Sequence, residues 1–191
     1  KKINKSELRI KYGVRENSLI ACYSGNIGYQ TDFDTFLLAA KLIESNNLPI
    51  HFIIAGSGPR ENEIKEKSSK LSNVTVTGWL SGSELRELFE ISSFGLLGFF
   101  NVTDYIKSLP NKFSEYLSAG LALVCGTKGE MAKWINDYEC GINYKSMDAE
   151  SLYIEISKLI KHEKEVIRLK RNAKNLHLKH FDHDVVIPLL A

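Results

Sequence analysis

The sequence predicts an α/β protein built on a parallel sheet of about six strands with helices on both faces. Short apolar runs alternate with longer segments of helical periodicity along the 191 residues, the order that builds a parallel sheet with crossover helices. The runs LIACY, HFIIA and LALVC are almost continuously apolar, as expected of strands covered on both faces. Ligands of such sheets bind beyond the carboxyl ends of the strands, so the segments that follow the strands form the candidate site.

Each predicted strand is a short apolar run that ends at a polar or glycine-containing turn. In chain order the strands are Leu19–Tyr23, Ile50–Ala55, Val74–Thr77, Phe94–Phe99, Leu121–Cys125 and Gly141–Tyr144. The predicted helices lie between and after them, and the clearest carry apolar residues three and four positions apart. In chain order they span Asp32–Ser45, about Arg60–Leu71, Ser83–Ile91, a helix opening at Pro110, Gly129–Asp137 and one beginning near Asp148. Ser83 is the expected N-cap of the third helix, because a serine hydroxyl accepts a hydrogen bond from the first turn.

The helix that opens at Pro110 carries an oddly placed cation. Pro110 suits the first helical position, where its missing N–H leaves no bond unmade. Lys112 then faces the positive end of the helix dipole, at a cost of about 0.3–1 kcal/mol unless an anion lies nearby. Lys112 and Glu115 are three residues apart and share one face of the helix. Lys112 is therefore either a solvated surface lysine or a group that holds an anion such as phosphate.

Glycine-rich turns follow the first two strands. Residues 25–28 read GNIG, a turn whose backbone N–H groups can approach an anion closely, or a tight turn without a ligand. Residues 56–59 read GSGP and open a helix. This turn begins like the dinucleotide fingerprint GxGxxG, but Glu61 stands where the third glycine is required. A tight turn and a turn that contacts a phosphate or sugar remain alternatives there.

The third and fourth strands end in an aromatic residue and a long loop. Trp79 and Leu80 follow the third strand. The Trp79 ring either packs against a base or covers the core; we expect it in the core, with its backbone lining a ligand at the rim of the site. The fourth strand leads into a predicted irregular loop of roughly ten residues, a length that is often functional or mobile. Its charged side chains, Asp104 and Lys107, are either solvated or able to reach a ligand above the sheet.

Composition excludes several classes of protein. A net charge of +2 does not suit a nucleic-acid-binding polycation, and no apolar run approaches the roughly 20 residues of a membrane span. The cysteines Cys22, Cys125 and Cys140 stand apart without histidine clusters, so neither zinc nor disulfides are expected, and Cys22 and Cys125 read as buried residues of a reducing compartment. The chain opens on Lys1 without a signal peptide and looks like the interior of a longer protein.

The segment Lys161–His180 is strongly basic. It carries seven lysines and arginines against two glutamates. Such a segment is either a solvated helix surface or a contact with an anionic membrane, where each basic residue contributes about 1 kcal/mol near the surface.

Four motifs in register resemble the C-terminal half of a family 4 glycosyltransferase of the GT-B fold: GNIG, AGSGP, NVTVTGW and PNKFSEYLSAG. The resemblance runs from about Leu8 to Ala149 and is nearest to the bacterial branch that builds capsule and O-antigen. It implies one Rossmann-like domain over residues 1–191, without the N-terminal acceptor domain. It also implies retaining transfer from a nucleotide-diphosphate sugar, with a UDP-sugar favoured and no cofactor or metal, to a polysaccharide or lipid-linked acceptor. The resemblance places the protein in the cytoplasm, and a membrane contact would be peripheral, at the inner face.

The resemblance also implies roles for individual residues. Lys112 would stabilise the departing diphosphate, a catalytic role, or contact the adjacent ribose. Glu115 would hold the ribose hydroxyls, since an ionised carboxylate accepts two such hydrogen bonds. The implied substrate-binding residues are Gly25, Asn26, Gly28, Gly58, Trp79, Leu80, Asn111, Lys112 and Glu115.

Two departures from the family pattern concern the sugar end of the site. Lys107 stands where many members carry a glutamate that contacts the donor sugar, and residues 30–32 read QTD where many carry a basic residue. Residues 181–191 belong to a region that in this fold often returns to the N-terminal domain. By itself this chain is therefore expected to bind the donor without transferring it. The alternatives are a dinucleotide-binding domain of an oxidoreductase and a non-catalytic interaction or receiver-like module.

Overall fold

The computed structural model describes residues 4–182, which fold around one six-stranded parallel sheet. The predicted α/β class, with a Rossmann-like sheet and helices on both faces, is confirmed. The strands are β1 Leu19–Ser24, β2 Ile50–Ala55, β3 Val74–Gly78, β4 Phe94–Leu97, β5 Ala122–Cys125 and β6 Gly141–Asn143. The helices are α1 Lys5–Lys11, α2 Phe33–Ser45, α3 Glu61–Ser68, α4 Gly82–Ile91, α5 Thr103–Ile106, α6 Asn111–Ser118, α7 Glu130–Asp137, α8 Ala149–Ile160 and α9 Glu163–His180.

The order of the strands creates a crevice at the centre of the sheet. The order is β3-β2-β1-β4-β5-β6, so the chain builds outward in one direction from β1 and in the other from β4. β1 pairs with β2 along its whole length, from Leu19 opposite Ile50 to Ser24 opposite Ala55, and with β4 on its other side. The loops after β1 and β4 diverge at this reversal, which is where ligands of doubly wound sheets bind.

Two layers of helices cover the sheet. One apolar cluster joins α2, α3 and α8 to the first face, with Phe33, Phe36 and Leu152 fully buried. The other joins α1, α4, α6 and α7 to the second face, with Phe113 and Met131 fully buried. Helix α9 belongs to both clusters through Val166 and Leu169 on one side and Ala173 and Leu176 on the other.

The N-cap of α4 is Ser81, so the prediction of Ser83 is wrong. Ser81 Oγ accepts a hydrogen bond from the Glu84 N–H at 3.4 Å, and the Glu84 carboxylate accepts one from the Ser81 N–H at 3.0 Å. This capping box satisfies two N–H groups, whereas a cap at Ser83 would place Arg86 where the glutamate is needed. The helix accordingly begins at Gly82.

Two boundaries before α6 also differ from the prediction. Strand β4 ends at Leu97 rather than Phe99, and Phe99 forms an antiparallel bridge with Thr31. Pro110 is the N-cap of α6 rather than its first residue, because its ψ of 155° is extended, and the helix begins at Asn111. The loop predicted to be irregular contains the short helix α5.

Phe181, the residue directly after α9, packs onto the second face. The Phe181 ring lies 5.5 Å from that of Trp134 and 6.0 Å from that of Phe113, centroid to centroid. The expectation that this segment needs the N-terminal domain falls mostly on residues 183–191, which lie outside the described residues.

Candidate functional site

The loops that follow β1, β2 and β3 are joined to one another by backbone hydrogen bonds. The Gly25 N–H donates to the Ala55 carbonyl at 2.9 Å, and the Gly56 N–H donates to the Gly78 carbonyl at 2.8 Å. A side chain at Gly56 would collide with the Gly25 carbonyl, and a Cβ at Gly58 would lie 2.5 Å from Asn26 Oδ1. Glycine is required at both positions because the loops touch backbone to backbone.

An open cavity of about 410 Å³ lies over this junction. Its lining residues come from the ends of three strands and from the start of α4: Ser24, Gly25, Asn26, Ala55, Gly56, Ser57, Trp79, Leu80 and Leu85. Four of the residues predicted for the site therefore line the cavity: Gly25, Asn26, Trp79 and Leu80. Ala55 ends β2, and Gly56 and Ser57 follow it in a turn that the sequence already indicated as a candidate. Leu85 lies on a helix flank and carried no such signal.

Gly28 and Gly58 lie behind the cavity rather than in its wall. A Cβ at Gly28 would come within 2.8 Å of Asn26 Nδ2, and one at Gly58 would meet the opposite end of the same amide. The two glycines therefore leave the space that the Asn26 side chain occupies. The two glycines affect the cavity indirectly, because they allow Asn26 to take its place in the cavity wall.

The Trp79 ring is not in the core, so that expectation is wrong. The residue is 72% exposed. Strand β3 is the edge strand of the sheet, so no further strand covers the residue that follows it. Gly78 turns the chain outward with a φ of 75°. The indole ring is thus left at the mouth of the cavity, with one side open to solvent.

Lys112 lies beneath the first glycine loop. Its Nζ donates a hydrogen bond to the Ser24 carbonyl at 3.0 Å and lies 4.0 Å from the centroid of the Tyr23 ring and 5.2 Å from that of Phe99. Burial lowers the pKa of the Lys112 ammonium to about 8, against the opposing effect of the Glu115 carboxylate. A Cβ at Gly25 would lie 3.0 Å from Nζ, so the cation sits directly against that glycine. The structure thus holds a poorly neutralised cation at the crevice between β1 and β4.

The first turn of α6 has no side-chain cap, which leaves the positive end of this helix open near Lys112. No side chain accepts a hydrogen bond from its free N–H groups, since the N-cap is Pro110. Asn111 is exposed, and its carbonyl accepts a hydrogen bond from Ser114 Oγ at 2.9 Å. An uncapped helix start carries the positive end of the helix dipole and suits a nearby anion.

Glu115 lines a second cavity, of about 380 Å³, next to the first. The neighbours in this cavity come from α4 and α6: Leu85, Arg86, Phe89, Glu90, Ser118 and Ala119. Leu85 lines both cavities, so a ligand that bridged them would pass across its side chain. Glu115 is exposed, and its carboxylate makes no ion pair within the described chain.

The loop after β4 closes the other side of the crevice. The Phe99 carbonyl accepts a hydrogen bond from Thr127 Oγ1 at 2.8 Å, and the Lys128 N–H donates to Asn101 Oδ1 at 2.7 Å. Asp104 and Lys107 are both exposed on this loop. Lys107, a position that departs from the family pattern, therefore leaves its side chain in solvent.

Residues 30–32 lie against the same loop. The Gln30 carbonyl accepts a hydrogen bond from the Phe100 N–H at 3.1 Å, and its side chain is exposed. Asp32 is buried as the N-cap of α2 and accepts hydrogen bonds from the Thr35 N–H at 3.1 Å and the Thr35 hydroxyl at 2.6 Å. Asp32 is thus committed to the helix, and the segment supplies no cation to the crevice.

The described residues hold no group of histidine, cysteine and acidic side chains that would bind a metal ion. Cys22, Cys125 and Cys140 are unpaired and buried. No helix within residues 4–182 is both long enough and apolar enough to cross a membrane.

The fold and the crevice define a Rossmann-like domain of the GT-B type. The profile of the family described as glycosyl transferases group 1 matches residues 4–176, and the chain belongs to that family. The structure is similar to that of HepE of Anabaena in complex with UDP, with a TM-score of 0.82 and 13% identity over 97% of this chain and 50% of HepE. It is also similar to the C-terminal domain of LpcC, a group 1 glycosyl transferase of Francisella tularensis, with a TM-score of 0.75 and 14% identity over 94% of each chain.

A curated relative extends the likeness to a protein named for a lipid product. The chain is 23% identical over 147 residues to alpha-monoglucosyldiacylglycerol synthase of Streptococcus pneumoniae. The aligned region covers 75% of this chain and 32% of the relative. The chain thus spans about a third of the length of that relative.

Proposed function

We propose that this chain binds the donor of a retaining glycosyltransferase, a nucleotide-diphosphate sugar, with a UDP-sugar favoured. The observation that carries the proposal is the Lys112 ammonium, which lies 3.0 Å from the Ser24 carbonyl directly beneath the first glycine loop. A diphosphate that entered the cavity there would meet this cation and the backbone of Gly25. The complex with UDP among the similar structures supports the same ligand class.

The diphosphate end of the proposal rests on Lys112 and the loop 25–28. Negative charge grows on the departing diphosphate during transfer, so a preorganised cation beside it lowers the barrier. Lys112 is already held by two aromatic rings and a carbonyl, so little reorganisation is needed when the charge develops. We assign the catalytic role to Lys112, with Gly25 and Asn26 in contact with the diphosphate. Gly28 and Gly58 make room for Asn26, and Asn111 lies at the open helix start.

The proposed site for the nucleoside extends over the two cavities that meet at Leu85. Trp79 and Leu80 border the cavity, and the exposed indole offers a flat surface for a base. Glu115 lies in the adjoining cavity, where its two carboxylate oxygens are available to the ribose hydroxyls. A nucleotide with its base at Trp79 and its ribose at Glu115 would leave its diphosphate at Lys112.

Residues 1–191 are proposed to form a single donor domain. In the whole protein, an N-terminal acceptor domain is proposed to accompany it. The acceptor is proposed to be a growing polysaccharide or a lipid-linked sugar in surface polysaccharide biosynthesis. Transfer needs no metal or other cofactor in this proposal and takes place in the cytoplasm, peripheral to the inner face of the membrane. The chain by itself binds the donor and leaves it intact. Family membership leaves the oxidoreductase alternative without support.

The experiment that tests donor binding is a fluorescence titration with UDP. The chain has two tryptophans, Trp79 at the cavity mouth and Trp134 packed 5.3 Å from the Tyr138 ring. UDP is expected to quench the Trp79 emission, so Trp134→Phe keeps the change and Trp79→Phe removes it. Parallel titrations with GDP and NAD by calorimetry separate the base preference from the dinucleotide alternative. Binding of NAD in the absence of any binding of UDP or GDP would overturn the proposal.

A further inference from the structure

The outer face of α9 has an unusual composition. The exposed residues along this stripe are Lys164, Ile167, Arg171, Lys174 and Leu178. They recur at intervals of three and four residues, so they form one row along the helix. Ile167 is 59% exposed and Leu178 is 50% exposed. The row therefore combines three cations and two large apolar side chains without an acidic member.

The acidic residues near this row are largely engaged elsewhere. Glu165 forms an ion pair with Arg168 at 2.8 Å, and Glu139 forms one with the same guanidinium at 2.6 Å. Glu163, at the start of α9, is the acidic group nearest the row along the helix. The opposite face of α9 is fixed in the core by its buried residues, Val166, Leu169, Ala173 and Leu176. Within residues 4–182, no ion pair neutralises Lys164, Arg171 or Lys174, so the exposed row keeps a net positive charge even with Glu163 beside it.

A cavity adjoins the row at its N-terminal end. It measures about 480 Å³ and is largely apolar, with Leu19, Pro49, Leu159, Ile160, Val166 and Ile167 in its wall. Lys170 and Glu163 also line it. The Lys170 Nζ donates to the Ser92 carbonyl at 2.8 Å, and no carboxylate forms an ion pair with it within the described residues. The cavity thus joins an apolar wall to a partly buried cation beside Ile167.

We propose that the outer face of α9, together with this cavity, binds the surface of an anionic phospholipid bilayer. Cations near such a surface contribute about 1 kcal/mol each, and the apolar side chains between them enter the interface. The aliphatic stems of Arg171 and Lys174 continue the apolar row between Ile167 and Leu178. The charged end of Arg171 reaches the headgroups, whereas Lys174 Nζ donates a hydrogen bond to the Ser118 carbonyl at 2.6 Å. This extends the proposed function, on which it rests, by naming the surface that would hold the protein at the membrane. Donor binding at the glycine loops does not depend on it.

A flotation assay of the 191-residue chain with vesicles tests the charge. Binding is expected to vesicles of phosphatidylcholine and phosphatidylglycerol at low salt, with little binding to phosphatidylcholine alone. The double variant Lys164→Glu/Arg171→Glu is expected to lose binding roughly tenfold or more. Its matched control, Lys41→Glu/Lys70→Glu, reverses two exposed cations that lie outside α9 and is expected to bind like the unaltered chain. Equal loss in both variants would overturn the proposal, because net charge alone would then explain the binding.

A fluorescent label tests the orientation on the membrane. The three native cysteines are buried, so Leu178→Cys can be labelled selectively with an environment-sensitive dye. The emission of this label is expected to shift to the blue on anionic vesicles. A label at Leu38→Cys, which is 56% exposed on α2, is expected to stay unchanged. A shift at Leu38 alone, or no binding to anionic vesicles, would overturn the proposal, and UDP titration without vesicles reports donor binding separately.

Discussion

Tyr116 Oη accepts a hydrogen bond from the Ser24 backbone N–H at 2.9 Å and one from the Ser24 hydroxyl at 3.3 Å. The phenol is fully buried, and the bond ties the end of β1 to α6. Because α6 carries both Lys112 and Glu115, this one contact fixes the helix relative to the first glycine loop.

The first prediction concerns this tie. Tyr116→Phe keeps the ring but leaves the Ser24 N–H without its acceptor, which costs about 1–3 kcal/mol of the free energy of unfolding. Chemical denaturation should therefore give a lower midpoint, and UDP should bind more weakly because α6 is no longer held in place. Phe113→Leu, a core substitution on the same helix away from Ser24, is the control for general loss of packing. Unchanged stability in Tyr116→Phe would contradict the assignment.

The second prediction separates the diphosphate from the nucleoside. Lys112→Gln should weaken UDP binding by about tenfold to a hundredfold, the value of a charge-assisted hydrogen bond to phosphate. Uridine, which lacks the diphosphate, should bind the variant and the unaltered chain alike. Lys107→Gln, an exposed lysine on the neighbouring loop, serves as the control. An equal loss for uridine and UDP would place Lys112 at the nucleoside instead.

The third prediction concerns the ribose. Glu115→Ala should weaken UDP binding by more than about tenfold while the domain remains folded, because the hydroxyls lose a charged acceptor. The unaltered chain should prefer UDP over 2′-deoxy-UDP, and the variant should lose that preference. Glu90→Ala removes another carboxylate that lines the same cavity and should change neither. Calorimetric titration of the three proteins with the two nucleotides at a fixed pH measures all six affinities.

The fourth prediction is a pH dependence set by Lys112. Its pKa of about 8 in the folded chain means that the free protein loses this cation as the pH rises through that value. The terminal phosphate of UDP is already ionised above about pH 7, so the affinity should fall as the pH rises past about 8. The neighbouring Tyr23 phenol stays protonated in this range, since burial raises its pKa to about 12. In Lys112→Gln the affinity should be independent of pH over the same interval.

The same pKa predicts a change in stability of definite sign. The pKa of lysine is about 10.5 in the unfolded chain and about 8 at Lys112 in the folded one, so the unfolded state binds more protons between the two values. Because the unfolded state binds more protons, the contribution of Lys112 to the free energy of unfolding increases as the pH rises from about 8 to about 10.5. The unaltered chain should gain free energy of unfolding over this interval relative to Lys112→Gln. The opposite slope would show that the cation is not desolvated.

The strands were predictable because each one is an apolar run in a sheet that is covered on both faces. The β2 bounds, Ile50–Ala55, match the prediction at both ends. The role of Trp79 was not predictable from its hydrophobicity, since its exposure follows from the edge position of β3 in the sheet order. The surroundings of Lys112 were equally hidden, because Tyr23 and Phe99 approach it only through the pairing of β1 with β4.

Two helices were predicted to begin at or near residues that prove to be their N-caps, whereas the cap predicted for α4 is wrong. Asp32 and Asp148 cap α2 and α8 and stand directly before helical periodicity begins. At α4 two serines compete, and only the glutamate three residues after Ser81 distinguishes them. Helix α1 was not predicted, although Asn4 caps it by accepting a hydrogen bond from the Glu7 N–H.

The glycine loops limit which residues of the cavity can change during evolution. The floor of the cavity is made of main chain, with Gly25, Gly56 and Gly78 locked to one another or to Ala55 by N–H and carbonyl groups. Substitutions there would break the junction, whereas the rim residues Trp79 and Leu85 can vary without disturbing it. Selection for a new nucleotide would therefore act on the rim, and a library confined to those positions is the natural way to redirect the specificity of the domain.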